Sequence, residues 1–242
     1  MTAPAYNAAF YDRAEQSQLA ARTIVPIIRS FTTIASVLDV GCARGTWLAA
    51  WVESGCTDYM GVDGASVRRD QLVIDETHFV TTDLSSSFDL GRRFDFVQCL
   101  EVAEHLPCAR SAGLVANLVN HADVILFSAA PPGQGGEFHV NEQRYDFWRA
   151  LFAAHGYVAF DCLRPKLRGM KAVPFWYRYN PILYVKSEAV GKLSALALDD
   201  RLAPDTSIPD VAPLAFRARK ALIRLMPAAL INTLARLNAR LT

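Results

Sequence analysis

The sequence predicts an α/β protein built on one open, doubly wound β-sheet with helices on both faces. Seven short runs rich in β-branched and aromatic residues recur along its 242 residues. The first five are nearly continuous apolar runs at intervals of roughly 20 residues, which is typical of parallel strands covered by helices on both sides. The predicted strands are residues 37–40, 59–63, 79–83, 94–100, 124–129, 158–163 and 182–186.

The last two predicted strands are joined differently from the others. The segment between them, residues 164–181, contains three prolines, and it resembles a hairpin connection more than a helical crossover. We therefore expect one of these two strands to run antiparallel to the rest of the sheet.

A helix precedes the first strand. Asp12 and Glu15 have the spacing of a capping box, and apolar residues such as Ile24 and Ile28 follow at helical intervals. Pro26 lies inside this stretch, and proline removes a backbone donor and clashes with the preceding turn. The sequence thus predicts a leading helix that starts near Asp12 and is kinked or divided at Pro26.

Composition is that of a globular protein. With 52% hydrophobic and 20% charged residues and a net charge of +1, the chain is neither intrinsically disordered, nor collagen-like, nor a basic nucleic-acid coat. Five cysteines without a C-x-x-C pair indicate neither a disulfide framework nor a zinc finger. We find no secretory signal and no apolar run of ~20 residues that would span a bilayer, so we expect a cytoplasmic protein.

Charge is distributed unevenly along the chain. Residues 1–210 contain 19 basic and 24 acidic residues, whereas the remainder contains six basic residues and no acid. Two short amphipathic helices are predicted there, opening at Pro213 and Pro227, the second with a leucine stripe. They would dock on the body or a second subunit, or lie on an anionic membrane at the inner face. We divide the chain into a helical segment (1–35), a core (36–187) and a C-terminal extension (188–242).

The strongest local motif is a glycine-spaced turn between the first strand and the next helix. Residues 37–48 read VLDVGCARGTWL, with glycines at 41 and 45. Glycine permits positive φ and close approach of a ligand, and the following helix N-terminus offers free N–H groups. This turn predicts a ligand-binding site at the carboxyl edge of the sheet.

Three successive strands carry an acid near that edge. Asp39 lies on the first strand, Asp63 ends the second and Asp83 ends the third. An acid about 20 residues past a glycine turn is placed to accept hydrogen bonds from a ribose. Taken singly, Asp63 and Asp83 could simply begin turns; as a series they predict a nucleoside-binding crevice.

Together these motifs resemble class I S-adenosylmethionine-dependent methyltransferases. The resemblance covers residues 36–187 and rests on Asp39 to Gly45, Gly61 to Gly64, Thr82 to Leu84, and Phe94 to Leu106. It implies a Rossmann-like, seven-stranded sheet whose last strand is antiparallel. The family pattern D-x-G-x-G-x-G has Ala43 in place of its middle glycine, so we expect a negative φ at Ala43.

The resemblance also implies which residues bind S-adenosylmethionine. Asp39 would orient the methionine end, Asp63 would bind the ribose hydroxyls, and Asp83 would bind the adenine amino group. The remaining cofactor-binding residues implied are Gly41, Cys42 and Gly45 at the methionine part, Gly64 beside the ribose, Leu84 against adenine, and Cys99 and Glu101 near the sulfonium.

Two other functions share parts of this pattern. An NAD-dependent oxidoreductase would also use a glycine turn and an acid, but the G-x-x-x-G spacing and Asp83 do not suit it. A methyltransferase-like module that binds without turnover would retain every cofactor residue. Release of S-adenosylhomocysteine distinguishes that module from an enzyme.

Transfer to a hydroxyl needs a base, and two histidines lie after strands at the crevice edge. His105 follows the fourth strand in Glu101-x-x-Glu104-His105, and His139 follows the glycine-rich segment after the fifth. We expect one of them to be the catalytic base. His105 could instead cap a helix. These residues could also chelate a metal, but no ligand spacing supports one, and we predict none.

The acceptor is expected to bind near Asn141 and the aromatic segment before the last strand. Trp176 and Tyr177 would stack on a sugar or planar group, and Arg178 would hold a phosphate or carboxylate. The alternatives are a helix N-cap for Asn141 and core packing for the two aromatics. A weaker resemblance to methyltransferases of surface-glycan and glycosylated natural-product pathways favours O-methylation of a small hydroxylated acceptor; N- and C-methylation stay open.

Overall fold

Seven strands form a single sheet in the computed structural model, which describes residues 8–226 and the side chains of residues 16–226. The strands are β1 Ser36–Val40, β2 Asp58–Asp63, β3 Phe79–Thr81, β4 Phe96–Leu100, β5 Val124–Ser128, β6 Tyr157–Phe160 and β7 Ile182–Lys186. The α-helices are α1 Ala8–Phe31, α2 Thr46–Glu53, α3 Ser111–His121, α4 Tyr145–Ala153, α5 Arg164–Leu167, α6 Phe175–Tyr179, α7 Ala195–Leu198 and α8 Leu214–Ile223. All seven predicted strands are confirmed, with ends shifted by a few residues.

The strand order is β3-β2-β1-β4-β5-β7-β6. The pairs that join β3, β2, β1, β4 and β5 are parallel, whereas β7 is antiparallel to both β5 and β6. The predicted antiparallel last strand is therefore confirmed. Since the chain order reverses between β1 and β4, the crevice of this open sheet lies at the carboxyl ends of these two strands.

Helices cover both faces of the sheet, as the apolar strands predict. On β1 the side chain of Val37 belongs to one buried cluster with Ile24, Ile28 and Trp51 of helices α1 and α2. The next residue, Leu38, belongs to a second cluster with apolar residues of α3 and α4 on the opposite face. Alternation along each strand thus divides the core into two layers.

Helix α1 departs from the prediction at both marked positions. It begins at Ala8, four residues before Asp12, and it continues through Pro26 without division. Ile24, Val25 and Ile28 are buried against the sheet, and this packing outweighs the cost of an interior proline, about 3 kcal/mol.

The segment between β6 and β7 contains two short helices, α5 and α6, where a simple hairpin loop was expected. Pro165 lies in the first turn of α5 and Pro174 directly precedes α6. Proline is favoured at helix starts because its φ is already helical and its missing N–H needs no partner there.

Helix α8, the described part of the basic tail, packs on the body. Lys220 is buried and pairs with Asp210, and Arg219 donates to the carbonyl of Gln134 at 3.1 Å. Phe216 lies against Phe175, with ring centroids 4.4 Å apart. The helix predicted from Pro227 lies outside the described residues. No helix within residues 8–226 is both long enough and apolar enough to cross a membrane.

Candidate functional site

The turn from β1 into α2 adopts a backbone that requires glycine at two positions. Gly41 and Gly45 have φ of +83° and +82°. A Cβ atom on Gly41 would lie 2.3 Å from a methyl of Val102, so no other residue fits without rearrangement. Ala43 also has positive φ, +48°, and the expectation of a negative value is wrong. Its amide must turn inward to reach Asp63.

Asp63 ties this turn to the end of β2. Its Oδ2 atom accepts a hydrogen bond from the Ala43 amide at 2.7 Å, and its Oδ1 atom accepts one from the Gly64 amide at 2.6 Å. Burial raises the pKa of Asp63, and the two amides oppose that rise. Each carboxylate oxygen has two lone pairs, so the half-buried Asp63 retains acceptor capacity for ribose hydroxyls.

Asp39 supplies a buried acid beside the turn. It is only 3% exposed, and its Oδ2 atom has no hydrogen-bond partner among the described residues. Burial raises the pKa of Asp39 to about 7; the neighbouring Gln98 side chain lowers it and the Asp63 charge raises it further. A carboxylate lacking a partner suits a cationic group, so this site fits the amino group of S-adenosylmethionine.

Three other predicted cofactor residues are buried in the core layers. Cys42 is 5% exposed and Leu84 is 8% exposed. Cys99 has no exposed surface and packs in the second apolar cluster. A side chain on a central strand is covered by helices on its own face, and a contact of Cys99 with the cavity near the sulfonium stays a prediction.

Asp83 is exposed after β3 and organises a turn. Its carboxylate accepts hydrogen bonds from the amide and hydroxyl of Ser85 and from the hydroxyl of Ser86. These hydrogen bonds, led by the Ser85 hydroxyl, lower the pKa of Asp83. This geometry is that of an acid beginning a turn, and an adenine contact at Asp83 stays a prediction.

Glu101 anchors a polar network at the end of β4. Its backbone is left-handed, with φ of +56°, a conformation that often marks functional sites in non-glycine residues. Its carboxylate accepts hydrogen bonds from Gln134 and Asn180, both at 3.0 Å. Tyr145 in turn donates to Asn180 at 3.1 Å. The sequence gives no local signal for Gln134, Asn180 or Tyr145, since Asn180 is 79 positions from Glu101.

His105 and His139 meet at the same edge of the sheet. Their ring centroids are 5.0 Å apart with the planes nearly perpendicular. The Nδ1 atom of His139 lies 3.0 Å from Oε1 of Glu142, and the Glu142 carboxylate also accepts the amides of Gly133 and Gly135. Burial, followed by the nearby His139, lowers the pKa of His105. The structure thus unites the two predicted histidines and adds Glu142.

Asn141 has a structural position. It is 3% exposed, and its side-chain amide donates to the carbonyl of Ala103 at 3.2 Å and to the hydroxyl of Ser111 at 3.0 Å. Both amide hydrogens bond to groups inside the protein, so the side chain of Asn141 joins two loops; a substrate contact at Asn141 stays a prediction. Asn141 is not a helix N-cap either, since Arg144 precedes α4.

The predicted aromatic wall forms the short helix α6, and its side chains lie in different surroundings. Tyr177 is 7% exposed; its hydroxyl lies 3.3 Å from that of Ser17, and its ring packs edge-on against Trp47. Trp176 also packs against this core layer. The core-packing alternative thus describes Tyr177 and part of Trp176, and an acceptor contact at either aromatic stays a prediction. Arg178 is half-buried, and its Nε atom has no hydrogen-bond partner among the described residues.

A family profile and three solved structures are similar to this chain. The profile described as a methyltransferase domain matches residues 9–160. DesVI from Streptomyces venezuelae is 17% identical, with 74% of this chain and 95% of that chain covered and a TM-score of 0.53. The sugar N-methyltransferase KedS8 from Streptoalloteichus sp. ATCC 53650 is 20% identical, with coverage of 72% and 86% and a TM-score of 0.51.

The third structure is the magnesium protoporphyrin IX methyltransferase ChlM from Synechocystis PCC 6803 with bound S-adenosylmethionine. It is 18% identical, with 75% of this chain and 85% of that chain covered and a TM-score of 0.52. At such identities these structures establish the fold alone. No curated protein matches the chain.

The family profile covers well over half of the chain, and the glycine turn, Asp63 and the orphaned Asp39 carboxylate fit the family's cofactor. The chain therefore belongs to the S-adenosylmethionine-dependent methyltransferases.

Proposed function

We propose that this enzyme methylates a hydroxyl of a small acceptor such as a sugar, a glycan or a glycosylated natural product. The observation that carries the proposal is the hydrogen bond between His139 and Glu142 at the crevice edge, 3.0 Å long and largely buried. A hydroxyl acceptor needs a base, and this histidine has the partner that a base requires.

The pair has the geometry of an oriented general base. If Nδ1 of His139 donates to Glu142, the lone pair of the ring is on Nε2, free to accept a proton. The Glu142 carboxylate then stabilises the imidazolium that forms. Two backbone amides, from Gly133 and Gly135, hold Glu142 in place. Glu142 is thus a positioning residue.

Acceptor binding is supported by a groove of about 530 Å³ beside α6 and α8. Its lining combines three cations with three aromatic rings and contains no acid, which suits a sugar that carries a phosphate or carboxylate. The lining residues are Arg168, Gly169, Lys171, Phe175, Arg178, Tyr179, Pro213 and Phe216.

Hydrogen bonds link the helices beside the groove to Glu101 at the crevice edge. Asn180 directly follows α6 and donates to Glu101 at the end of β4. Arg219 on α8 also donates to the carbonyl of Gln134, the other residue that contacts Glu101. In this proposal the anionic group of the acceptor lies in the groove, and its reacting hydroxyl lies near Glu101 and the histidines.

S-adenosylmethionine supplies a methyl group already activated by a positively charged sulfur. The protein's own task is to align the acceptor oxygen, exclude water and take up the hydroxyl proton. The Glu101 network holds the crevice wall rigid, and His139, with His105 beside it, accepts the proton. An amine acceptor is the second candidate, because KedS8 is a sugar N-methyltransferase and a neutral amine attacks without a base.

The test is an acceptor panel with isotope-labelled cofactor, read by mass spectrometry. Matched sets contain free sugars, the same sugars as nucleotide diphosphate derivatives, and amino sugars. We expect methylated products from hydroxyl sugars, with higher kcat/KM for the phosphorylated forms, and a loss of that preference in Arg178→Ala. Methylation of amino sugars alone would contradict the proposal, and cofactor binding without any product would indicate a non-catalytic module.

A further inference from the structure

Glu104 is a buried acid that the proposed transfer leaves without a task. It lies in the single 3-10 turn Ala103–His105 after β4, has no exposed surface, and neither of its carboxylate oxygens has a hydrogen-bond partner among the described residues. A carboxylate in this position needs a proton or a cation to neutralise it.

Two imidazoles lie next to this carboxylate. One ligand atom each from Glu104, His105 and His139 can be chosen so that all three lie within 4.8 Å of one another. Glu104 and His105 are adjacent in the chain, whereas His139 comes from the loop after β5. We propose that these three side chains bind one divalent transition-metal ion.

The surrounding hydrogen bonds hold the three ligands in place. The carbonyl of Glu104 accepts the amides of Val140 and Asn141 at 2.9 and 3.0 Å, which fixes the His139 loop to the turn that carries Glu104 and His105. Metal-binding histidines usually donate their second ring nitrogen to a carboxylate or carbonyl, which sets the tautomer. Glu142 occupies that position at Nδ1 of His139.

The donor set indicates the class of ion. Two imidazole nitrogens and one carboxylate suit Mn²⁺, Fe²⁺, Co²⁺ or Zn²⁺ better than Ca²⁺ or Mg²⁺, which favour oxygen ligands. Three protein ligands leave coordination positions open for other molecules. The proposed site departs from the expectation, made from the sequence, that the chain has no metal site.

Binding of the ion is independent of the acceptor, whereas its use rests on the proposed function. With the ion bound, His105 and His139 are ligands, and an acceptor hydroxyl oxygen at an open position would be acidified by the metal charge. Without the ion, His139 is the base described above. Loss of His139 therefore lowers turnover in either form, and only direct binding measurements distinguish the two.

The experiment titrates tag-free, metal-stripped protein with Co²⁺, followed by calorimetry and visible absorption. A Cys108→Ala background removes the exposed thiol, whose charge-transfer band would otherwise complicate the spectrum. We expect one ion per chain and a spectrum typical of nitrogen and oxygen ligands. Glu104→Gln and His105→Gln should each weaken binding more than tenfold, and Glu142→Gln by about 10–100-fold.

His155→Gln is the matched control, because His155 is exposed beyond α4, and it should bind Co²⁺ as the parent does. Circular dichroism confirms that each variant is folded. Absence of saturable binding in the parent, or equal binding by folded Glu104→Gln, would overturn the proposal. Co²⁺ binding without methylation of any hydroxyl acceptor would support the metal site and contradict the proposed function. Methylation of a hydroxyl acceptor without Co²⁺ binding would support the proposed function and contradict the metal site.

Discussion

The amide of Ala43 donates a 2.7 Å hydrogen bond to Oδ2 of Asp63. This contact joins the turn after β1 to the end of β2, two segments 20 residues apart. It also accounts for the left-handed backbone of Ala43, since a φ of +48° turns that amide toward the acid. Asp63 is therefore both an expected cofactor ligand and a support of the turn that holds the cofactor.

Asp63→Ala should weaken S-adenosylmethionine binding by roughly 10- to 100-fold. Each charge-assisted hydrogen bond contributes about 1.5–3 kcal/mol, and the substitution removes ribose contacts and releases the turn. Calorimetric titration with the cofactor measures the change, and a melting curve checks folding. Asp63→Asn keeps an acceptor for one amide, so its affinity for the cofactor should lie between those of the wild type and Asp63→Ala. A folded Asp63→Ala protein with wild-type affinity would refute the ribose assignment.

His139→Ala should lower turnover about 10²- to 10⁴-fold and leave cofactor affinity unchanged, because proton uptake is needed only in the transition state. Glu142→Gln should lower kcat less, since it disturbs the orientation of His139 without removing it. Glu137→Gln on the same loop is the control. If His105→Ala alone shows the large loss, the two histidines exchange roles; full activity in the double variant would exclude histidine chemistry.

The raised pKa of Asp39 should make the free energy of unfolding depend on pH. Its pKa of about 7 in the folded chain exceeds the ordinary 3.8, so between these values the folded state holds a proton that the unfolded chain has lost. The free energy of unfolding must therefore fall as pH rises through this window. Asp39→Asn has no carboxyl group at this position and therefore lacks this pH dependence. Its free energy of unfolding minus that of the wild type should increase by about 2–3 kcal/mol from pH 5 to pH 8.

Urea denaturation of both proteins at the two pH values measures this difference. The raised pKa of Glu104 acts in the same direction, but it is present in both proteins and cancels. A difference that does not change with pH would mean that Asp39 ionises as an exposed acid does.

Phe216→Ala should lower the free energy of unfolding by about 1–2 kcal/mol, because Phe216 packs against Phe175 and holds α8 on the body. Leu222→Ala on the same helix is the control, since Leu222 is 62% exposed, and it should change stability by less than about 0.5 kcal/mol. Thermal melting of the two variants measures this difference in stability. Equal melting temperatures would mean that α8 docks weakly, and salt-sensitive sedimentation with anionic vesicles would then favour the membrane alternative.

The strands and their arrangement were predictable because their signals are local. A buried parallel strand such as Ile125 to Phe127 is apolar on both faces, and this pattern is visible in a few consecutive residues. The antiparallel β7 followed from the type of connection before it. Helix α6 was missed because its aromatic run, Phe175 to Tyr179, resembles a strand and only Pro174 marks its start.

The site was predictable only in part. Gly41, Gly45 and Asp63 were identified because a tight turn and a strand-end acid have local signatures. Contacts that depend on tertiary folding have no local signature in the sequence. Asn180, for example, contacts Glu101, which is 79 positions away in the chain. The internal hydrogen bonds of Asn141 were not predicted for the same reason, because its partners Ala103 and Ser111 lie far from it in the chain.

If the enzyme transfers the methyl group to a hydroxyl oxygen, the product carries that methyl on oxygen, and its position can be measured. Cofactor labelled with ¹³C at the methyl group is incubated with the best acceptor of the panel, and heteronuclear NMR identifies the atom bonded to the labelled carbon. We expect an O-methyl resonance that grows at least 100-fold more slowly when His139→Ala replaces the wild-type enzyme. A methyl on nitrogen or carbon would contradict this expectation.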